Sequence, residues 1–215
     1  MKNILYIVIS IFLLVGCGKS EEDKTNQLIE KSVKNTLYYP ESYDPVSTDS
    51  NTMPFNIFND NMMALSTKIF KLVKEIKYAN WELEGEQRRA TYFGNNKNEI
   101  KEYKEKIDRL NKQLNVMVEQ ATETLTRLKA DSDNKEVNVV QHKFRAKNGL
   151  GLVSFNDYLF IIDKNDNKII NAYDVNSDEF IKLTALIKCI SDNNNEVNYD
   201  SLKDTLEEIK EMQLQ

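Results

Sequence analysis

Three prolines, six glycines, one histidine and one tryptophan are all that 215 residues contain of these types, while 29% of the chain is charged. So little turn material beside so much charge favours long helices over a sandwich of many short strands. His142 has no second histidine, cysteine or spaced carboxylate pair in company, so the sequence offers no zinc set. Nucleophilic catalysis finds as little support. There is no G-x-S-x-G elbow, P-loop or G-x-G-x-x-G turn, and Asp and Glu are too numerous to single out an acid/base pair. Acidic residues outnumber Lys and Arg by 34 to 29, for a net charge of −5, which gives no reason to expect nucleic acid, a partner that calls for a concentrated basic face. Two cysteines do not make a disulfide framework. Cys189 falls on an apolar helical stripe and reads as a buried small hydrophobe.

What is present begins with a leader. Met1-Lys2-Asn3 gives a weakly basic start, and Ile4 to Val15 has one clearly polar residue, Ser10. That run is about half of the ~20 residues a spanning helix needs, so it reads as an export signal and not as fold. Leu14-Val15-Gly16-Cys17 resembles the lipobox of bacterial lipoproteins. The resemblance implies that residues 1–16 are removed, that Cys17 is thioether-linked to diacylglycerol, and that its new amine carries a palmitate-type acyl chain. Two or three chains are what stable attachment requires, since each buried CH₂ contributes roughly 0.8 kcal/mol. With Cys17 so used, no intrachain disulfide is possible. Residues 17–24 form the expected tether. Gly18 follows the cysteine where an inner-membrane retention signal would have Asp, and Glu21-Glu22-Asp23 resembles the acidic tether of surface-exposed Bacteroidetes lipoproteins. The same cluster reads equally well as a solvated linker. The expected location is the cell envelope, lipid-anchored at the outer membrane and facing either the periplasm or the surface.

Beyond the tether, Leu28, Ile29, Val33 and Leu37 recur at near-helical spacing and predict a helix over residues 22–37. The Tyr38–Pro45 stretch ends it. Residues 43–48 then predict a short edge strand, where Pro45 is tolerable, and 49–60 a loop. Met62, Leu65, Ile69, Leu72, Ile76, Ala79, Leu83, Glu86, Ala90 and Phe93 alternate three and four apart. After Gly94-Asn95-Asn96 the seam resumes from Ile100 to Leu128. Two helices of roughly 30 residues, each about 45 Å long, should fold back as an antiparallel coiled-coil hairpin. Glu86 within the seam predicts looser packing near the tip, or a wet partner surface.

From Val137 the period changes to two. Residues 137–146, 152–163 and 168–173 predict a three-stranded meander, with Asn148-Gly149 as the hairpin signal. Ser177 offers an N-cap for a helix carrying Phe180, Leu183, Ile187 and Ile190, and Tyr199, Leu202, Leu206 and Ile209 mark a last one. The fold class is therefore α+β: a small antiparallel β-meander packed by helices, with a long inserted antiparallel coiled-coil hairpin. The expected division is a discontinuous α+β domain, 25–60 and 132–215, interrupted by the hairpin at 61–131.

Two segments, Pro40-Glu41-Ser42-Tyr43 and His142-Lys143-Phe144-Arg145-Ala146-Lys147-Asn148 with Gly151, carry a further resemblance. With Phe160-Ile161-Ile162-Asp163 they are similar to a "P-x-S-Y … H-x-F-R-A-K-N-x-x-G … F-x-x-D" order in small Bacteroidetes lipoproteins. The resemblance spans most of the chain and implies architecture and location, but no mechanism. It also implies that the Tyr43 strand joins the later sheet, with the coiled coil inserted between.

Among candidate sites, Asp163, Asn165, Asn167 and Asp174 imitate the oxygen spacing of a calcium loop, but Lys168 replaces the glycine such a loop needs. No cofactor or resident metal is expected. His142 shares its strand face with Val140, Phe144 and Ala146 and reads as a half-buried structural residue. Lys143, Arg145 and Lys147 alternate with it as a basic stripe on an acidic protein, suited to an anionic partner or lipid headgroups, or equally to a solvated sheet face paired with nearby carboxylates. The leading expectation is a non-enzymatic interaction module with the membrane, through Cys17, and an unidentified protein as partners, and with self-association through the hairpin as a further possibility. The competing expectation is an enzyme or small-ligand binder with a pocket between sheet and terminal helices.

Overall fold

The computed structural model describes residues 19–94, 96–130, 136–192 and 197–213. The expected leader and Cys17, the expected lipidation site, lie outside the described residues. Elements follow in the order α1 (Lys19–Lys34), a 3-10 turn (Pro40–Ser42), β1 (Asp44–Met53), α2 (Asp60–Phe93), α3 (Lys97–Ala130), β2 (Val137–Lys147), β3 (Val153–Asp163), β4 (Lys168–Asp174), α4 (Asp178–Asp192) and α5 (Tyr199–Gln213). The fold is α+β, a four-stranded antiparallel sheet with two long helices forming a hairpin. No described helix is long and apolar enough to cross a membrane.

Contacts divide the described chain into two compact units. One takes the residues up to Asn59 with Arg127–Phe180, the other Asp60–Thr126 with those from Ile181 onward. The expected division grouped both terminal helices with the sheet. Here all but the first residues of α4, and the whole of α5, belong with the hairpin.

In the sheet unit the strands run in the order β1-β2-β3-β4, all antiparallel. The resemblance-based expectation that the Tyr43 segment joins the sheet holds, and the strand is longer than expected. Residues 49–53, expected as loop, continue β1 and pair with Val137–Gln141. Their polar side chains hide the strand from a hydrophobicity pattern; the free edge of β2 supplies the pairing. The register slips between Pro45 and Ser47 in β1, and between the partners of Ile161 and Ile162 in β4. Both outer strands thus carry a bulge, a device that blunts sheet edges against further pairing.

One sheet face is covered by α1. Ile29 and Val33 pack against Val140, Phe144, Ala146, Phe160 and Ile162, with Leu28, Leu37, Tyr43 and Tyr158 at the margin. The helix already includes residues 19–24 of the expected tether, whose Lys and Glu are good helix formers. On the other face Phe58 and Phe180 stack at 5.8 Å, and the Tyr173 hydroxyl donates to the Phe58 carbonyl at 3.1 Å.

In the helical unit α2 and α3 have 34 residues each, about 51 Å. Gly94 ends α2 with φ +78, a conformation that glycine adopts without the Cβ penalty, and its N–H donates to the Ala90 carbonyl. Glu86 is buried in the seam. Its carboxylate accepts from Asn96 Nδ2 at 2.7 Å and pairs with Arg89 at 3.0 Å. The expected weak point is thus a polar latch that ties the inter-helix turn to α2. In α4, Ser177 Oγ accepts from the Phe180 N–H, as an N-cap should. Asn198 and Ser201 cap α5 reciprocally, at 3.1 and 2.9 Å. Leu183, Leu186, Leu202 and Ile209 are buried, and α5 packs on α2.

Candidate functional site: the β2–β3 hairpin and its tip

β2 is the central organiser of the sheet unit because its two faces do different work. The inward face carries Val140, His142, Phe144 and Ala146, as the alternation predicts. His142 is 3% exposed, more buried than expected. β1 is the reason: Tyr43 Oη lies 2.8 Å from Nε2, and Thr48 Oγ1 lies 2.9 Å from Nδ1. The ring also stacks with Tyr43 and Phe144 and meets Phe160 edge-on. Burial holds the imidazole below its ordinary pKa of 6.5, while burial and the Glu30 charge push the Tyr43 hydroxyl up to about 12. Both ring nitrogens are occupied by hydroxyl partners in a ring-stacked pocket. The arrangement fastens β1 to β2 and presents no ring nitrogen to a substrate.

The outward face carries Gln141, Lys143, Arg145 and Lys147. Lys143 is partly covered and lies 3.6 Å from Asp157, which also accepts from Gln141 Nε2 at 2.9 Å. Burial is the largest influence on Asp157 and raises its pKa, against the hydrogen bond from Gln141 and the charge of Lys143. Arg145 is exposed and lies 3.7 Å from Asp44. Lys147 is exposed and has no carboxylate partner among the described residues. Of the basic stripe, then, Lys143 belongs to a local polar cluster, Arg145 is shared with Asp44 at the exposed edge, and Lys147 alone of the three has no carboxylate beside it among the described residues.

Those two cations stand directly opposite apolar residues on β3: Arg145 faces Phe155, and Lys147 faces Val153. With Leu150 and Leu152 of the connecting turn, four large apolar side chains are exposed here, from 55% at Phe155 to 84% at Leu150. The turn is well made. Asn148 Oδ1 accepts from the N–H groups of Leu150 and Leu152, Gly151 N donates to the Asn148 carbonyl, and Gly151 has φ +76. It spans Asn148 to Leu152, longer than a two-residue Asn-Gly turn, because the left-handed position falls on Gly151 and not Gly149. Tyr38, also exposed, lies over Gly149, where a Cβ would come within 3.3 Å of its ring. Ser42 Oγ accepts from the Lys147 N–H and braces the same end.

No family model, curated protein or solved structure matches the chain. The reading of this site therefore rests on its own geometry. Scattered exposed apolar residues are ordinary on a protein surface. Four large ones within six positions, on an ordered turn and beside cations, make this surface the candidate for an interaction site.

The calcium-like residues are not brought together. Asp163 Oδ1 accepts from the N–H groups of Asn165 and Asp166, an Asx turn, and Asn167 takes φ +45 to turn the chain into β4. Asp174 sits at the other end of β4, about 20 Å along the strand. No group of three or more metal-binding side chains occurs among the described residues. Cys189 is buried, and its Sγ lies 3.5 Å from Ser201 Oγ.

The sequence reading found the cations of this surface but not its apolar half. The signal was available: Leu150, Leu152, Val153 and Phe155 follow so closely that one sheet face cannot bury them all.

Proposed function

We propose that this chain is a lipid-anchored envelope protein, attached through Cys17, that acts as a protein-interaction module and not as an enzyme. The observation that carries the reading is the ordered tip of the β2–β3 hairpin, where Leu150, Leu152, Val153 and Phe155 stand exposed beside Arg145 and Lys147. Phe155 opposite Arg145 pairs two residue types enriched in interface cores, and Leu150, Leu152 and Val153 add exposed apolar area beside them. The position of the tip supports a partner other than the protein's own bilayer. Cys17 precedes the first described residue of α1 by two positions, and α1 packs on the sheet through Ile29 and Val33. Its far end leads to Tyr38 against Gly149. A helix of 16 residues thus separates the lipidated end from the tip by about 24 Å. The lipobox supports lipidation by resemblance, and Gly18 in place of a retention Asp supports anchoring at the outer membrane.

A photoreactive residue at Leu152 tests this in intact cells. It should yield a discrete protein adduct that is lost when Arg145 and Lys147 are both changed to Glu. The same probe at Asp166, exposed in the β3–β4 turn at the opposite end of the sheet, should yield none. No protein adduct from Leu152, or the same adducts from both positions, would overturn the reading.

A further inference from the structure

The outward face of α2 is unusual for a solvated coiled-coil surface. Tyr78, Trp81 and Tyr92 are 58%, 62% and 79% exposed. They lie away from the seam of Ala79, Leu83, Glu86 and Ala90 and share one face with Glu82, Gly85, Arg88 and Arg89, at spacings of three and four. Both arginines are also exposed; Arg89 reaches Glu86, and Arg88 lies 3.9 Å from Glu84. Glycine within a 34-residue helix is destabilising relative to alanine. Nothing inside the protein requires it here, since an added Cβ at Gly85 meets only the flexible end of Arg89, at 3.9 Å. What a glycine does supply on an open helix face is room for another backbone to approach.

The order of residues about Gly85 says which backbone fits. Tyr78 and Tyr92 lie seven residues to either side, Trp81 and Arg89 four, and Glu82 and Arg88 three. At about 100° per residue Glu82 and Arg89 fall on one flank of Gly85 and Trp81 and Arg88 on the other, and an antiparallel copy related by a two-fold axis at Gly85 sets each flank against the same flank of its partner. Glu82 meets Arg89, Trp81 meets the Arg88 guanidinium, and Tyr78 meets Tyr92, twice each. A two-fold interface must be self-complementary in this way, with residue i on j and j on i. Acid against base, cation against indole and ring against ring are all favourable. A parallel arrangement would set like against like.

We infer that the protein forms a two-fold homodimer through the outer face of α2, with the helices crossing at Gly85. The six aromatic rings supply on the order of 900 Å² of buried surface, at the small end for specific interfaces. Dimerisation of the free protein is therefore weak, and tethering at a membrane raises the effective concentration that drives it. The inference does not depend on what the β2–β3 tip binds.

Full-length protein in native membranes tests it. Gly85→Cys should form a disulfide-linked dimer under mild oxidation, because a residue on the axis meets itself. Gln87→Cys, also exposed but on the opposite face of the helix, should not. In detergent, sedimentation should show Glu82→Arg and Arg89→Glu each lowering the dimerisation constant at least about tenfold, by like-charge apposition. The double reversal should restore it towards the wild-type value. Equal crosslinking from positions 85 and 87, heterologous adducts alone from position 85, or a double reversal no better than the single changes would each overturn the inference. Rescue by the double reversal also separates lost association from lost folding.

Discussion

Replacing Ile29 with aspartate is expected to cost at least about 4 kcal/mol in the sheet unit, the range reserved for an unpaired charge placed in a core. Ile29 is fully buried among Val33, Val140, Phe144, Phe160 and Ile162, with no cation in that cluster to receive a carboxylate. The helix escapes the penalty only by leaving the sheet. Loss of α1 would uncover the apolar face of β2 and β3 and slacken the link between the amino-terminal side of the sheet unit and the tip. Ile29→Val removes one methyl group and should cost about 1 kcal/mol, so the pair separates charge burial from packing. Denaturant unfolding followed by near-ultraviolet dichroism of the sheet-unit tyrosines reads both. An Ile29→Asp protein within 1 kcal/mol of wild type would show that α1 does not hold this face.

The second large effect belongs to His142. Changing it to alanine should lower stability by about 3 kcal/mol: a buried ring is removed, and the Tyr43 and Thr48 hydroxyls lose their shared partner. His142→Phe keeps the stacking and should cost about 1 kcal/mol. The two variants also differ from wild type in their response to pH. Burial lowers the folded-state pKa of His142 below the 6.5 of the unfolded chain. Between those values the unfolded state binds the proton and the folded state resists it. Stability is therefore greatest above pH 6.5 and falls as pH drops towards the folded pKa. Asp157 has the opposite sign: its raised pKa favours the folded state at low pH, and that contribution is lost as pH rises from 3.8 through the folded value. Comparing wild type with His142→Phe isolates the histidine. A loss of stability between pH 7 and 5.5 that persists unchanged in His142→Phe would contradict the assignment.

Elements whose burial is periodic were legible in the sequence. The seams of α2 and α3, the strands β2, β3 and β4, and the Ser177 cap agree with the structure to within a few residues, because each is specified by neighbours one turn or two positions away. β1 was only half legible. Its second half is polar on both faces, so only a β2 edge more than eighty residues later reveals it as a strand. The burial of His142 was underestimated for the same reason, since both hydroxyl partners come from β1 or the turn before it. Glu86 looked like a flaw in the seam because the residues that satisfy it, Asn96 across the turn and Arg89 on the next turn of helix, lie off the heptad positions. The placement of α4 and α5 with the hairpin was not legible at all. An amphipathic helix declares that it has a buried face, but not which surface will bury it.

The candidate site was legible in part. Lys143, Arg145 and Lys147 stood out by sign against an acidic chain, but only the structure separates Lys143, held at Asp157, from the two cations beside Phe155 and Val153. The oxygen ligands of the calcium-like stretch had plausible spacing in sequence and fail in space, because a strand straightens the chain between Asn167 and Asp174.

The proposed function depends on the chain being held at a membrane by its amino-terminal end. Mass spectrometry of the amino-terminal peptide of protein taken from cell envelopes addresses this most directly. The account predicts a chain that starts at Cys17, with diacylglycerol on the sulfur and an acyl group on the amine. A mature end at another residue, or an unmodified thiol at position 17, would contradict it.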